Sequence, residues 1–155
     1  MTVARTPRFE ERLRVPASWW LLGLGAVVTI WWIIFVALSV AAASAVAALA
    51  AGVVAAGLWR YGAASIAADA DGLRAGRAVL PTRHIGTVEP LDAERTRRAL
   101  GVDADARAYL LVRAYCPESV KVSVDDPADP TPYWVISTRQ AASLASSLHR
   151  ARVQD

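Results

Sequence analysis

An uncharged stretch of 45 residues constrains the fold of this chain more than any other feature of its sequence. Between Arg14 and Arg60 there is no Asp, Glu, Lys, Arg or His, and five of the six tryptophans fall inside the stretch. A core helix of a small soluble domain needs a polar face, which this stretch lacks. One bilayer span takes about 20 apolar residues. The stretch therefore predicts a transmembrane helical hairpin over residues 17–61.

The hairpin divides into two spans of about residues 17–38 and 41–59. Trp19 opens the first span and Trp59 closes the second, and aromatic rings favour the headgroup boundary. No proline or asparagine marks the turn, which we assign to Ser39. Arginines followed by an apolar run also resemble a secretory signal, but this run exceeds the roughly 7–15 residues of such a signal and a second apolar run follows it.

Small residues recur every four positions in the second span, at Ala48, Gly52 and Ala56. Such a stripe lets another helix approach closely. We expect the stripe to pack against the first span of the same chain. Association of two copies of the chain through the stripe is the alternative.

Basic residues flank both ends of the apolar stretch, whereas the turn between the spans has no charge. Residues 1–16 form a basic N-terminal arm, in which Arg5, Arg8, Arg12 and Arg14 outnumber two glutamates. The positive-inside bias then places both termini in the cytoplasm. The sequence thus predicts a multi-pass protein of the cell membrane.

The charges of the rest of the chain are nearly balanced. From Arg60 onward there are 13 basic and 12 acidic side chains, a net charge of about +1. The sequence pI near 9.5 therefore gives no reason to expect a nucleic acid partner. Cys116 is the single cysteine, which excludes an internal disulfide and fits a reducing compartment. We expect it to be a half-buried structural thiol.

Residues 62–155 change to the short β segments of a cytoplasmic domain. The run SIAADADGLRAG predicts strand, turn and strand, with Asp71 and Gly72 supplying the positive φ of a two-residue hairpin. The runs AVLP, HIGTVEPL, AYLLVRAY and SVKVSVDD predict further strands, with Gly86 at a bulge. The run DAERTRRALG predicts a short helix capped by Asp92.

The end of the chain predicts one more strand and a closing helix. The run YWVIST is strongly β-prone, and alternation places Trp134 and Ile136 in the core and Tyr133 nearer the surface. The spacing of Leu144 and Leu148 predicts an amphipathic helix against which that core packs. The predicted fold is a membrane α-hairpin followed by a small α+β, mainly antiparallel β, barrel domain with a C-terminal helix.

Several segments resemble the DUF3093 family of small actinobacterial membrane proteins, whose function is unassigned. The segments are the Trp-rich first span, GLRAGRAVLPTRHIGTVEPLDAERTRRALG, AYLLVRAY and DPADPTPYWVISTR. The layout GLRAG...LPTRHIGTVE also resembles bacterial pleckstrin-homology-like (PH-like) domains, which often follow a membrane hairpin. The resemblance implies a PH-like barrel and no catalytic residue. Its most specific part comprises Asp126, Pro127, Asp129, Pro130, Pro132, Tyr133 and Trp134.

Asp125, Asp126 and Asp129 spell D-D-x-x-D, a pattern that binds magnesium diphosphate when it lies on a helix. Pro127 and Pro130 interrupt a helix here, and Asp before Pro favours turn geometry. We interpret the segment as a rigid loop whose solvated acids cap turns. The two histidines have no partner at ligand spacing, so we expect no metal site.

Six arginines are candidates for contact with anionic lipid or with a partner protein. Each would contribute about 1 kcal/mol near an anionic membrane surface. A solvated face balanced by neighbouring acids is the alternative. The candidates form two clusters in the sequence, Arg74, Arg77 and Arg83, and Arg95, Arg97 and Arg98.

No combination of nucleophile, base and acid is recognisable in the sequence, and we expect no catalysis and no cofactor. The predicted function is that of a membrane-anchored, non-catalytic interaction or scaffold module at the cytoplasmic face. Its expected partners are the lipid bilayer and another membrane or membrane-associated protein. The alternative is a PH-like domain that binds a lipid headgroup or a small ligand.

Overall fold

The computed structural model describes residues 9–153, and the chain forms two compact units. The helical unit is Leu13–Ala64, and the sheet unit comprises the described residues before and after it. Arg5 and Arg8 of the predicted basic arm lie outside the described residues. The elements in chain order are β1 (Phe9–Arg12), α1 (Ala17–Ala37), α2 (Val40–Tyr61), β2 (Ser65–Ala68), β3 (Gly72–Ala75), β4 (Ala78–Pro81), β5 (Ile85–Leu91), α3 (Ala93–Leu100), β6 (Tyr109–Leu111), β7 (Ser119–Val124), β8 (Tyr133–Ser137) and α4 (Ala141–Val153).

The helical unit is an antiparallel pair of long apolar helices, α1 and α2. Only Leu38 and Ser39 separate them, and the Ser39 hydroxyl caps α2 by accepting a hydrogen bond from the Ala42 N–H at 3.3 Å. At the other end of the pair, the rings of Trp19 and Tyr61 stack with their centroids 5.8 Å apart. The turn therefore lies at Ser39, as predicted.

Both helices leave most of their apolar side chains exposed. No residue of α1 is buried, and Ala43 is the one buried residue of α2. By length and composition, both helices could cross a membrane. The core helix of a soluble protein buries its apolar face, so this exposure distinguishes the pair from such helices.

The small-residue stripe of α2 lies outside the contact between the two helices. Ala48, Gly52 and Ala56 are exposed, and a Cβ added to Gly52 would meet no atom within 4 Å. The close contact lies elsewhere, since a Cβ added to Gly23 would lie 2.7 Å from Cγ1 of Val54. The prediction that the stripe packs against the first span is therefore wrong, because α1 packs on the α2 face that carries Val54.

Four antiparallel strands form the first sheet, in the order β1-β2-β3-β4. β1 precedes the helical unit and pairs with β2, which follows it; Phe9 lies opposite Ala68 and Arg12 opposite Ser65. β1 falls within the predicted N-terminal arm, and four residues are too few for an alternating pattern to identify a strand. The helical unit is thus inserted between two neighbouring, paired strands.

The predicted β2–β3 hairpin is present, with a turn built on a side chain. The Asp69 carboxylate accepts hydrogen bonds from the N–H groups of Asp71 and Gly72, both at 3.0 Å. Gly72 alone of the two predicted positions has a positive φ, +151°. A Cβ there would collide with the backbone carbonyl of Leu80 on β4. Glycine is therefore required by close strand approach as well as by backbone conformation.

The second sheet has the order β5-β7-β8-β6, in which β6 runs parallel to β8 and the other pairs are antiparallel. The register shifts between Ile85 and Val88, which confirms a bulge at Gly86. Within residues 9–153, eight strands form two four-stranded sheets, and these residues do not form the predicted barrel. α4 contacts strands of both sheets and packs chiefly on β5, so it closes the core.

The predicted core positions of β8 and α4 are buried. Leu144 and Leu148 are fully buried, as is Ile136, and Trp134 is 5 % exposed. The nearest ring to Trp134 is that of Tyr109 on β6, with centroids 4.5 Å apart. Local alternation thus predicted which side chains are buried, whereas the partner strand of Trp134 depends on the parallel pairing.

β8 is buried on both faces, and the predicted wetter face is wrong. All five of its residues are buried. The loop after α3 covers Tyr133, whose hydroxyl accepts from the Asp105 N–H at 2.8 Å and donates to the Asp103 carbonyl at 3.2 Å. Ser137 accepts a hydrogen bond from the Arg113 N–H at 3.0 Å. Long-range hydrogen bonds therefore make burial of these polar atoms possible.

Candidate functional site

A buried carboxylate joins the two ends of the sheet unit. Glu11 on β1 is 8 % exposed, and it accepts hydrogen bonds from the Thr138 hydroxyl and, at 3.0 Å, from the Arg139 N–H. The Thr138 oxygen in turn accepts from the Gln140 N–H at 3.0 Å, directly before α4 begins. Glu11 therefore connects the strand that precedes the helical unit to the corner between β8 and α4.

The single cysteine lies close to this cluster. Cys116 is buried, and burial raises the pKa of its thiol, although the neighbouring Arg139 opposes the shift. A buried, protonated thiol is a poor nucleophile and a poor metal ligand. Cys116 is more deeply buried than the half-buried thiol we expected, and its environment favours packing over chemistry.

The acids of the D-D-x-x-D pattern organise the loop between β7 and β8. The Asp126 carboxylate accepts from the Ala128 N–H, and the Asp129 carboxylate accepts from the Thr131 N–H, each at 2.9 Å. Hydrogen bonds from the side chain and backbone of Thr131 lower the pKa of Asp129. These are side-chain turns, in which aspartate replaces a backbone carbonyl. Within residues 9–153, no three His, Cys, Asp or Glu side chains form a group that could hold a metal ion.

His84 attaches the same loop to the turn that precedes β5. Its Nδ1 lies 3.2 Å from the Asp125 carbonyl and 3.7 Å from the Asp126 carboxylate, and its Nε2 accepts from Arg83 Nε at 2.9 Å. The Asp125 N–H donates to the His84 carbonyl at 2.8 Å. His84, which has no partner nearby in the sequence, is therefore hydrogen-bonded to the loop that contains Asp125 and Asp126.

The first arginine cluster is dispersed in three dimensions. Arg74 is exposed on β3, and Arg77 is exposed in the turn between β3 and β4. Arg83 follows β4 at the opposite end of the first sheet. Arg77 lies at the sheet end that carries Arg12, because Gly76 N–H donates to the carbonyl of Ser65 at 2.9 Å.

The second cluster is partly gathered into a cleft. Arg95 and Arg98 line a depression of about 200 Å³ together with Glu89, Asp103 and Lys121. Arg97, on the same helix, is exposed and is not among the residues that line it. Lys121 and Asp103 had no signal in the sequence, since the strand β7 and the loop after α3 approach this cleft only in the folded unit.

The comparison with known families covers both units. A family model described as a protein of unknown function, DUF3093, matches residues 8–148. No curated protein and no solved structure matches the chain. The matched segment includes β1, the helical unit and all eight strands. Because the match spans most of its length, the chain belongs to the DUF3093 family.

Proposed function

We propose that this chain is a membrane-anchored, non-catalytic interaction module whose sheet unit lies at the cytoplasmic face of the cell membrane. The observation that carries the proposal is the insertion of an exposed apolar helix pair between the paired strands β1 and β2. The sheet unit is thereby attached at two points, through four residues between β1 and α1 and three residues between α2 and β2. Two short attachments restrict the unit to the membrane surface, where it meets partners in or beneath the membrane.

The orientation follows from the flanking arginines. Arg14 precedes α1 and Arg60 lies in the last turn of α2, so the outer ends of both helices carry the positive charge that favours the cytoplasm. Reporters fused before Met1 and after Asp155 should both read cytoplasmic. Periplasmic activity from either fusion would exclude two spans with this orientation.

The partner we propose is another membrane or membrane-associated protein, with a second copy of this chain as one form of it. The exposed stripe of Ala48, Gly52 and Ala56 supports helix association, because small residues permit close backbone contact. Purification of the full chain in mild detergent, followed by crosslinking, should recover a defined complex. Gly52→Leu should reduce crosslinking several-fold, whereas Gly25→Leu, also in open space, serves as the matched control. A monomer with no co-purified protein would contradict the proposal.

A second candidate function is that the sheet unit is a PH-like domain that binds anionic lipid headgroups, in a protein of actinobacterial origin. The resemblance to PH-like domains is supported by two mainly antiparallel sheets followed by a C-terminal helix that packs on them. Exposed Arg77 shares its sheet end with Arg12, which directly precedes the helical unit. Basic residues so placed would contribute about 1 kcal/mol each at an anionic surface.

Liposome flotation tests this second candidate. The protein used is a soluble variant in which an Asn-Gly turn joins Arg12 directly to Ser65, because these residues are an antiparallel pair. It should float with anionic vesicles and not with neutral ones. Arg77→Gln should weaken flotation, and Arg83→Gln, at the far end of the sheet, should not. Equal flotation of all three proteins would exclude this role for Arg77.

A further inference from the structure

The cleft beneath α3 is formed by cationic side chains from two separate elements. Arg95 and Arg98 lie on successive turns of α3, and Lys121 comes from β7. Leu91 and Ala99, which are both buried, also line the cleft. The volume, about 200 Å³, suits a single small ionic group more than a large organic ligand.

The acids in the cleft leave its cations available. Arg95 Nη1 lies 3.0 Å from Glu89 Oε1, and Arg98 Nε lies 3.5 Å from Asp103 Oδ2. All four side chains are more than half exposed. Such surface ion pairs contribute only about 0–1 kcal/mol, so a stronger anionic ligand can compete with either carboxylate.

Lys121 contributes the third cation of the cleft, and its ammonium contacts an aromatic ring. Its ammonium lies over the ring of Tyr133, 4.0 Å from the centroid. Tyr133 is itself fixed by its two hydrogen bonds to the loop after α3. Lys121 is also the one lysine in a chain with 16 arginines. A compact ammonium on a flexible stem suits a narrow cleft better than a planar guanidinium does.

We propose that this cleft binds a phosphate group, carried either by a lipid headgroup or by a soluble phosphate compound. Three cations face two carboxylates there, so the lining is net positive and disfavours a metal ion. Guanidinium groups offer paired donors to phosphate oxygens, and lysine adds a point charge. This phosphate site does not involve the protein partner proposed above. Failure of phosphate binding would therefore leave the co-purification result unchanged.

Amine acetylation followed by mass spectrometry tests the proposal on the full chain in phosphatidylcholine nanodiscs. Lys121 is the only side-chain amine, and the N-terminal amine is an internal reference. Inorganic phosphate should slow acetylation of Lys121 relative to the N-terminus, compared with chloride at equal ionic strength. Arg98→Gln should weaken the apparent affinity about 10-fold, whereas Arg97→Gln should change it less than about 2-fold. Thermal melts of both variants establish that they are folded.

The second arm of the experiment identifies the source of the phosphate. Nanodiscs containing phosphatidic acid, without added phosphate, should protect Lys121 if the group belongs to a lipid. Protection only by soluble phosphate assigns the site to a soluble ligand. Either result supports the phosphate site. Equal acetylation of Lys121 in every condition, or equal effects of Arg97→Gln and Arg98→Gln, would overturn it.

Discussion

The two units of this chain differ in what they bury. The helical unit buries one residue of its two helices, Ala43, whereas the sheet unit buries a continuous core that includes both faces of β8. Both are rich in apolar side chains, but only the sheet unit hides them from the surrounding medium. Exposed apolar surface on this scale is unfavourable in water, at about 25 cal/mol per Å². The sheet unit therefore has a core of its own, whereas the two helices are long and apolar enough to cross a membrane.

A second difference concerns polar atoms. The helical unit has few side-chain hydrogen bonds, such as the one from Trp31 to Ser44 at 3.4 Å, and satisfies its backbone within each helix. The sheet unit uses side chains to join distant segments, as Glu11 does with Thr138. The stability of the sheet unit should thus depend on specific long-range contacts, and that of the helical unit on close packing.

The largest effect is expected from removing β1. A chain that begins at Ser65 loses the partner of β2 and leaves the Thr138 and Arg139 donors without Glu11, so it should fail to fold. The variant in which Asn-Gly joins Arg12 to Ser65 should be soluble and fold cooperatively. Circular dichroism with urea titration compares the two proteins. Equal stability would show that β1 is not an integral part of the sheet unit.

The next largest effect concerns the double-sided burial of β8. Trp134→Ala should destabilise the sheet unit by about 3–5 kcal/mol, as truncation of a buried aromatic ring does. Tyr133→Ala should approach this value, because it also removes two hydrogen bonds to the loop after α3. Denaturant melts of the soluble variant measure both. A loss of less than about 1 kcal/mol for Tyr133→Ala would instead agree with the sequence-based prediction that Tyr133 lies nearer the surface.

The buried acid should give a smaller loss. Glu11→Gln places an amide where two donors point, which should cost about 1–3 kcal/mol of unfolding free energy. Glu10→Gln, on the exposed face of the same strand, should change stability by less than about 0.5 kcal/mol. Urea melts of the soluble variant provide both values. Indistinguishable melts would mean that the Glu11 contacts add no net stability.

Packing in the helical unit can be tested with two glycines of one helix. Gly23→Leu forces atoms into Val54 and should destabilise the helix pair by about 1–3 kcal/mol. Gly25→Leu should be tolerated, since a Cβ there meets nothing within 4 Å. Unfolding of the full chain in mixed detergent micelles, followed by tryptophan fluorescence, compares them. A larger loss of stability for Gly25→Leu than for Gly23→Leu would contradict the assignment of the helix contact to the face of α1 that carries Gly23.

The smallest effect is expected in the acidic loop. Asparagine at positions 126 and 129 keeps a side-chain oxygen that can accept the same backbone N–H groups, so the triple variant with asparagine also at 125 should lose only the small contribution of the charges at neutral pH. The pKa of Asp129 is lowered in the folded state, so its contribution is present above the unfolded pKa and is lost as pH falls through the folded pKa. Acid titration of the soluble variant should show this loss, and the triple variant should lack it.

The two long apolar helices and several strands were predictable from sequence because their signals are local. The 45 uncharged residues predicted two apolar helices, and Ser39, which we assigned to the turn, caps the second of them. Asp92 likewise caps α3 by accepting hydrogen bonds from the N–H groups of Glu94 and Arg95. Gly86 marked the bulge, and the spacing of Leu144 and Leu148 gave the buried face of α4. Each of these depends on neighbours within a few residues.

The family likeness was also determined by sequence, through the segment from Asp126 to Trp134. The sequence predicted only part of the structural role of that segment. The turns capped by Asp126 and Asp129 follow from aspartate before proline, but the attachment of the loop to His84 joins residues about 40 positions apart. Such a pairing leaves no periodic pattern in the chain.

Tertiary structure alone decided that β1 joins the first sheet and that the strands divide between two sheets. It also decided that β6 is the parallel partner of β8 and that side chains around Lys121 form a cleft. Each depends on segments separated by long stretches of chain, such as Glu11 and Thr138, which are 127 positions apart. Alternation predicts one buried face, and it failed for Tyr133 because a distant loop covers the other face. Local patterns specify which elements form, whereas the free energy of burying and pairing them against one another determines where they lie.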